Sequence, residues 1–169
     1  MSTKLIQLTV IISIGSILFT LESFIPTPLP WIKLGLANVT TILVLKWYGL
    51  KEAFIVAFMR IVIGSLLTGR FLNPVFIISL SGNISAVVIM YFTIVYGEKM
   101  FSLIGVSILG AVFKSITQLF IVYLIYLRQI YLFSMTPIFL FSALVAGIFV
   151  GFSSHLILNK LKPYFRSGS

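Results

Sequence analysis

Long apolar stretches dominate the chain, and short groups of glycine, proline and charged residues divide them into six segments. A helix needs roughly 20 mostly apolar residues to cross a bilayer. The pattern therefore predicts six transmembrane helices, at about residues 5–23, 34–48, 52–68, 72–96, 101–127 and 133–161. The second and third segments are short, and a tight Gly49-Leu50 turn separates them. We expect the first segment to be retained, because no small-x-small cleavage site follows it.

Composition strengthens the membrane interpretation. Hydrophobic residues make up 60% of the chain and charged residues only 9%, whereas a soluble domain carries roughly 25% charged residues. So few charges could not keep the surface of a soluble enzyme in water. We therefore predict an all-α integral membrane protein that forms a single transmembrane domain over residues 1–169.

The distribution of basic residues predicts the orientation, because lysine and arginine concentrate on the cytoplasmic side. With a cytoplasmic N-terminus, seven of them fall in inner segments and three in outer loops. The inner set is Lys4, Lys46, Lys51, Lys99, Lys160, Lys162 and Arg166, and the outer set is Lys33, Arg70 and Arg128. This bias predicts a multi-pass plasma-membrane protein with both termini cytoplasmic. It also accounts for the net charge of +9, so no nucleic-acid partner is expected.

Several chemistries are absent from the sequence. The chain has no cysteine and no aspartate, its acids are Glu22, Glu52 and Glu98, and its single histidine is His155. This set predicts no metal site, no cofactor and no carboxylate-rich magnesium site for diphosphates. The phosphate-binding loop of ATPases is missing as well. We therefore predict a protein that is not an enzyme and has no catalytic residues.

Charged and polar residues do occur within the apolar segments, where they are costly and usually face a cavity or a partner. They concentrate in the outer half of the predicted bundle, which predicts a cavity open to the outside. Their positive charge favours a small anionic or amphipathic ligand, a carboxylate or phosphate with an apolar body. The predicted substrate-binding residues are Glu22, Trp31, Lys33, Asn38, Arg60, Arg70, Asn83, Lys114 and Gln118.

These residues have different predicted roles. Arg60 and Lys114 would supply charge at the base of the pocket, and the amides Asn38, Asn83 and Gln118 would orient the ligand. Trp31, Lys33 and Arg70 would lie at the mouth. The alternative is structural: Arg60 pairs with Glu22, Lys114 bonds backbone carbonyls, and the amides join neighbouring helices.

Small residues at four-residue spacing let transmembrane helices approach closely. Ala143, Gly147 and Gly151 repeat in this way on the sixth segment, which predicts packing within the bundle. Ala53 and Ala57 do so on the third segment, near the cytoplasmic face. For that pair, docking of a partner protein is an additional possibility.

Several short motifs resemble one family. They are Leu21-Glu22-Ser23, Lys33-Leu34-Gly35-Leu36-Ala37-Asn38, Gly49-Leu50-Lys51-Glu52-Ala53, Arg60 with Gly64-Ser65-Leu66-Leu67, Ser79-Leu80-Ser81-Gly82, Gly105-Val106-Ser107, and Gly110-Ala111 through Gln118. The chain resembles the Gx transporter family, which is labelled heptaprenyl diphosphate synthase component I. That family is related to the S components of energy-coupling factor (ECF) transporters. The resemblance implies a six-helix S-component fold that binds a small molecule and docks on a coupling protein carrying two ATPases.

Three functions remain open from the sequence. The first is a substrate-binding membrane subunit of an ECF-type uptake transporter, which would need the bilayer, a coupling protein and ATPases as partners. The second is a non-catalytic membrane partner in prenyl diphosphate or quinone metabolism, or in extracellular electron transfer, and it predicts a lipid-facing groove. The third is a scaffold without a ligand, in which Glu22 saturates Arg60 and no cavity exists.

Overall fold

The computed structural model describes residues 3–25, 35–97, 100–127, 134 and 136–165. The described residues are mostly α-helical, which confirms the predicted all-α class. The helices are α1 (Thr3–Phe24), α2 (Asn38–Trp47), α3 (Leu50–Leu67), α4 (Pro74–Tyr96), α5 (Leu103–Val122) and α6 (Thr136–Phe165). A π-helical turn, Tyr123–Leu127, continues α5.

Four of the described helices are long and apolar enough to cross a membrane: Thr3–Phe24, Pro74–Tyr96, Leu103–Ile125 and Thr136–Leu161. They correspond to the first, fourth, fifth and sixth predicted spans. Helices α2 and α3, which correspond to the other two predicted spans, lack this combination of length and apolar composition. Helix α3 has 18 residues but includes three charged ones, Lys51, Glu52 and Arg60.

Helix α2 is the largest departure from the predicted spans. It begins at Asn38 and has ten residues, so it extends only about 15 Å and cannot cross a hydrocarbon core of about 30 Å. Its first eight residues, 38–45, are all buried, because it packs against α1, α3, α4 and α6. Residues 34–48 therefore have the hydropathy of a membrane span, although the helix within them is short and buried among the other helices.

Polar residues at the helix starts explain several of the boundaries. The Asn73 side chain accepts a hydrogen bond from Val75 N, and Pro74 occupies the first turn of α4. Ser102 accepts one from Gly105 N at the start of α5. Both satisfy backbone N–H groups that a helix start leaves without a partner. Gly49, with φ of +92°, makes the turn between α2 and α3.

Contacts at one end of the bundle fix how α1 runs relative to α2 and α3. Lys4 Nζ lies 2.5 Å from Glu52 Oε1, and the Tyr48 hydroxyl donates to Gln7. The start of α1 therefore lies beside the turn between α2 and α3. The end of α1 and the start of α2 lie at the opposite end, which we call the Glu22 half of the bundle.

Helices α5 and α6 approach closely through glycine. A Cβ on Gly147 would lie 2.7 Å from Ile108 Cα, and one on Gly151 would lie 2.6 Å from Ile104 Cα. Both contacts are with the backbone, which a side-chain rotation cannot relieve. The four-residue stripe on α6 thus serves packing within the chain, as predicted.

Replacing Gly147 by valine is expected to lower the melting temperature in detergent micelles. The added atoms would force α5 and α6 apart, and overpacking of this kind costs about 1–3 kcal/mol. Val145→Leu is the matched control, because Val145 is 52% exposed on the same helix and added bulk there has room. Equal melting temperatures for the two variants would contradict the close approach.

Candidate functional site

The polar residues predicted within the membrane gather in the Glu22 half. They come from five helices, and all are buried: Glu22, Asn38, Arg60, Asn83, Lys114 and Gln118. Each lies in the part of its helix nearest the end of α1 or the start of α2. The structure therefore brings together six of the nine predicted substrate-binding residues.

Arg60 lies at the centre of this group and is 1% exposed. Its Nη2 atom donates to Asn38 Oδ1 at 2.6 Å and to Asn83 Oδ1 at 2.7 Å. Its Nη1 atom donates to Thr40 Oγ1 at 3.3 Å. Gly15 of α1 makes room for the arrangement, because a Cβ there would lie 3.0 Å from Thr40 Oγ1 and 3.4 Å from Arg60 Cδ.

Glu22 does not act as the brace that one alternative predicted for Arg60. Among the described residues no ion pair joins the two side chains, since the ion pair found there is Lys4–Glu52. The Glu22 carboxylate instead accepts a hydrogen bond from Leu36 N, just before α2. Its charge still acts on both Arg60 and Lys114. The ion pair between Glu22 and Arg60 that the scaffold alternative predicted is therefore not found among the described residues.

A cavity of about 30 Å³ lies between the start of α2 and helices α4, α5 and α6. Its polar lining residues are Asn38, Ser107, Lys114, Ser115, Gln118 and Ser142. Small residues and the apolar side chains of Met90, Phe139 and Val150 complete the wall. None of the described lining residues is acidic, so the cavity presents one fixed charge, that of Lys114.

Lys114 is the unusual member of this lining. Its side chain is 9% exposed, and in the described part of the chain no hydrogen bond or ion pair engages its ammonium group. Buried ammonium groups are costly unless they are paired. The neighbouring Gln118 is positioned by Gly82 of α4, where a Cβ would lie 2.6 Å from Gln118 Cγ.

The remaining predicted residues lie elsewhere. Arg70 is partly exposed in the turn after α3, where its backbone N–H donates to Ser65 O at 2.8 Å. No contact between its side chain and the cavity is found among the described residues. Trp31 and Lys33, the predicted mouth residues, fall outside the described part of the chain.

Ala53 and Ala57, the pair predicted to dock a partner protein, are buried within the bundle. Ala53 is 0% and Ala57 3% exposed, because both pack into the main apolar core. Their four-residue spacing therefore serves packing within the chain, and their role in docking a partner protein stays a prediction.

Four polar residues of the site were not predicted as ligand contacts. Thr40 accepts from Arg60, and Ser107, Ser115 and Ser142 line the cavity. The sequence carried a signal for the two α5 serines, because residues 107, 111, 114, 115 and 118 lie on one face at helical spacing. Lys114 and Gln118 on that face were predicted as ligand contacts, whereas the two serines were not.

A second depression lies on the outer face of α3 and α4. This groove has a volume of about 310 Å³ and is lined by eight apolar side chains and Asn83. Its rim includes Ile55, Phe58, Met59 and Ile84, all more than 40% exposed. Asn83 therefore borders the groove while its Oδ1 atom holds Arg60.

Comparisons with known proteins give one family. No curated protein and no solved structure is significantly similar to the chain. The family model described as heptaprenyl diphosphate synthase component I matches residues 11–157, which include every buried polar residue of the site. The chain belongs to the heptaprenyl diphosphate synthase component I family.

Proposed function

We propose that the protein is the substrate-binding membrane subunit of an ECF-type uptake transporter, and that its substrate is a small molecule with an anionic group. One observation carries the proposal: the buried Lys114 ammonium borders a cavity and has no partner among the described residues. An anion placed there would supply the missing counter-charge. A charged residue at membrane depth that faces a cavity commonly marks a substrate path.

The lining favours an anion over a cation or a neutral molecule. Hydroxyl and amide groups surround Lys114 and can all donate hydrogen bonds, while acidic side chains are absent from the described lining. Charge-assisted hydrogen bonds are roughly twice as strong as neutral ones. The site therefore supports a carboxylate or a phosphate oxygen better than an uncharged group.

Uptake would require partners that supply energy. The sequence has no phosphate-binding loop of its own, so ATP hydrolysis would come from separate ATPases acting through a coupling protein. The protein itself would bind and release the substrate, without catalysis.

Native mass spectrometry of the gently solubilised protein tests the proposal. We expect a small anionic molecule to be retained by the wild type and lost from Lys114→Gln, which removes the charge and keeps a hydrogen-bonding side chain. Lys51→Gln is the matched control, because Lys51 is exposed at the start of α3. An anionic ligand that both variants retain equally would contradict the role of Lys114.

The second candidate function is a non-catalytic partner in prenyl diphosphate metabolism. The apolar groove on α3 and α4 favours it, and so does the family description. In the same experiment this function predicts retention of a prenyl species that Lys114→Gln leaves unchanged. Ile84→Trp, which adds bulk to the groove wall, would remove that species.

A further inference from the structure

The bonds around Arg60 fix the direction of two side-chain amides. An arginine guanidinium can only donate hydrogen bonds, so the Asn38 and Asn83 atoms that meet Nη2 must be the oxygens. This assignment follows from donor chemistry, whereas the O and N atoms of an amide are otherwise difficult to tell apart. The NH₂ group of each asparagine therefore points away from Arg60.

The two NH₂ groups have different surroundings. Asn83 Nδ2 donates to Ser79 O at 2.7 Å, within α4. Asn38 Nδ2 lies on the Gly35 side, 3.3 Å from where a Gly35 Cβ would be. Gly35 and Asn38 both line the cavity, and among the described residues no acceptor is bonded to Asn38 Nδ2. One amide is thus satisfied by its own helix and the other presents a donor to the cavity.

We infer that Arg60 does not contact the bound anion but holds the Asn38 amide so that its NH₂ group, together with Lys114 Nζ, selects a small carboxylate over an uncharged group of the same shape. This inference rests on the proposed function, because it assigns the substrate class and the selecting groups of the same cavity. Arg60 is then a positioning residue and Asn38 a specificity residue.

The size of the cavity supports a carboxylate. A volume of about 30 Å³ accommodates about two water molecules at 10–15 Å³ each. Two water positions correspond to the two oxygens of one carboxylate group, so a small carboxylate such as acetate is the probe. Acetamide is its uncharged isostere and brings a donor where the second carboxylate oxygen would accept.

Two matched variants separate positioning from charge. Asn38→Asp and Asn83→Asp each place a carboxylate at an oxygen that accepts from Arg60 Nη2, at 2.6 Å and 2.7 Å. Both changes therefore compensate the Arg60 charge in the same way. Asn83→Asp removes the hydrogen bond from Asn83 Nδ2 to Ser79 O within α4, but only Asn38→Asp replaces a cavity-facing donor with an acceptor.

The measurement is ligand-detected NMR of acetate and acetamide with the full-length protein in nanodiscs, using empty nanodiscs as the baseline. The wild type is expected to bind acetate at least about tenfold more tightly than acetamide. The reason is that a hydrogen bond to a charged group contributes more binding free energy than a hydrogen bond between neutral groups. Asn38→Asp is expected to abolish this preference, and Asn83→Asp to keep it within about threefold of the wild type.

Each outcome has one meaning. Equal losses in the two variants would overturn the inference and leave the proposed function intact, because the total charge and not the Asn38 donor would then set selectivity. A wild type without any preference for acetate would overturn the proposed function itself. If Asn38→Asp does not fold, Asn38→Leu replaces it, since that change removes the donor without adding charge. Acetate binding by Asn38→Leu that equals the wild type would likewise overturn the inference.

Discussion

Lys114→Met is expected to abolish anion binding and, at the same time, to raise the melting temperature. Methionine has nearly the length of lysine and no charge, so it removes the only fixed charge in the described cavity lining. An isolated buried ammonium destabilises a fold. Even a buried ion pair can often be replaced by apolar groups of similar volume with a gain of about 1–4 kcal/mol, so removal of an unpaired charge is expected to be stabilising. Opposite signs for the changes in binding and stability would identify Lys114 as a functional residue.

The two quantities are measurable on one preparation, by thermal unfolding in detergent and by acetate binding in nanodiscs. Lys51→Met serves as the control, since Lys51 is exposed and its replacement should change neither value much. A Lys114→Met protein that melts well below the wild type would indicate that the ammonium holds the helices together. It would support the structural alternative.

Arg60→Leu is expected to have the reverse effect on stability, a loss of about 1–3 kcal/mol for each buried acceptor that is left without its donor. The change leaves Asn38 Oδ1 and Asn83 Oδ1 without their donor at buried positions. Three helices meet at this guanidinium, because Asn38 belongs to α2, Arg60 to α3 and Asn83 to α4. Denaturant titration followed by tryptophan fluorescence would report the loss.

The control for that experiment is Arg70→Leu. Arg70 also carries a full charge and lies ten residues further along the chain, but it is partly exposed in a turn. Surface changes of this kind usually stay within about 0.5 kcal/mol. Similar losses in Arg60→Leu and Arg70→Leu would contradict the central role of the Arg60 bonds.

The positions of the site residues could be predicted from the sequence because the bilayer makes polarity conspicuous. Arg60, Lys114 and Gln118 stand out in helices that are otherwise apolar, and the same half of each helix carries the polar groups. Depth along a helix follows from residue number alone. The sequence therefore predicts that these polar groups lie at a similar depth in the bundle.

Pairing within the site could not be predicted, because it depends on how each helix is rotated about its axis. Glu22 was the obvious counter-charge for Arg60, yet its carboxylate meets Leu36 N instead. Two neutral amides and Thr40 take its place around the guanidinium. Hydropathy distinguishes charged from neutral residues and contains no information on which of them face each other.

The length of α2 could not be predicted from hydropathy, for a different reason. Residues 34–37 are mostly apolar, like a span, but Gly35 has φ of +77° and precedes a turn at Leu36 and Ala37. A buried turn and a membrane helix both exclude charge, so composition does not separate them. The turn matters for the site, since Gly35 and Asn38 form one wall of the cavity.

The buried charges of the site have an electrical consequence. The buried charges of the described residues are Glu22, Arg60 and Lys114, so one negative and two positive groups leave a surplus of one positive charge. An electric field across the membrane acts on such a charge with about 2.3 kcal/mol per 100 mV for a full crossing. A monovalent carboxylate in the cavity cancels the surplus. In the proposed function, a membrane potential would therefore act on the surplus charge of the empty site, whereas the site that holds a carboxylate would be almost insensitive to the potential.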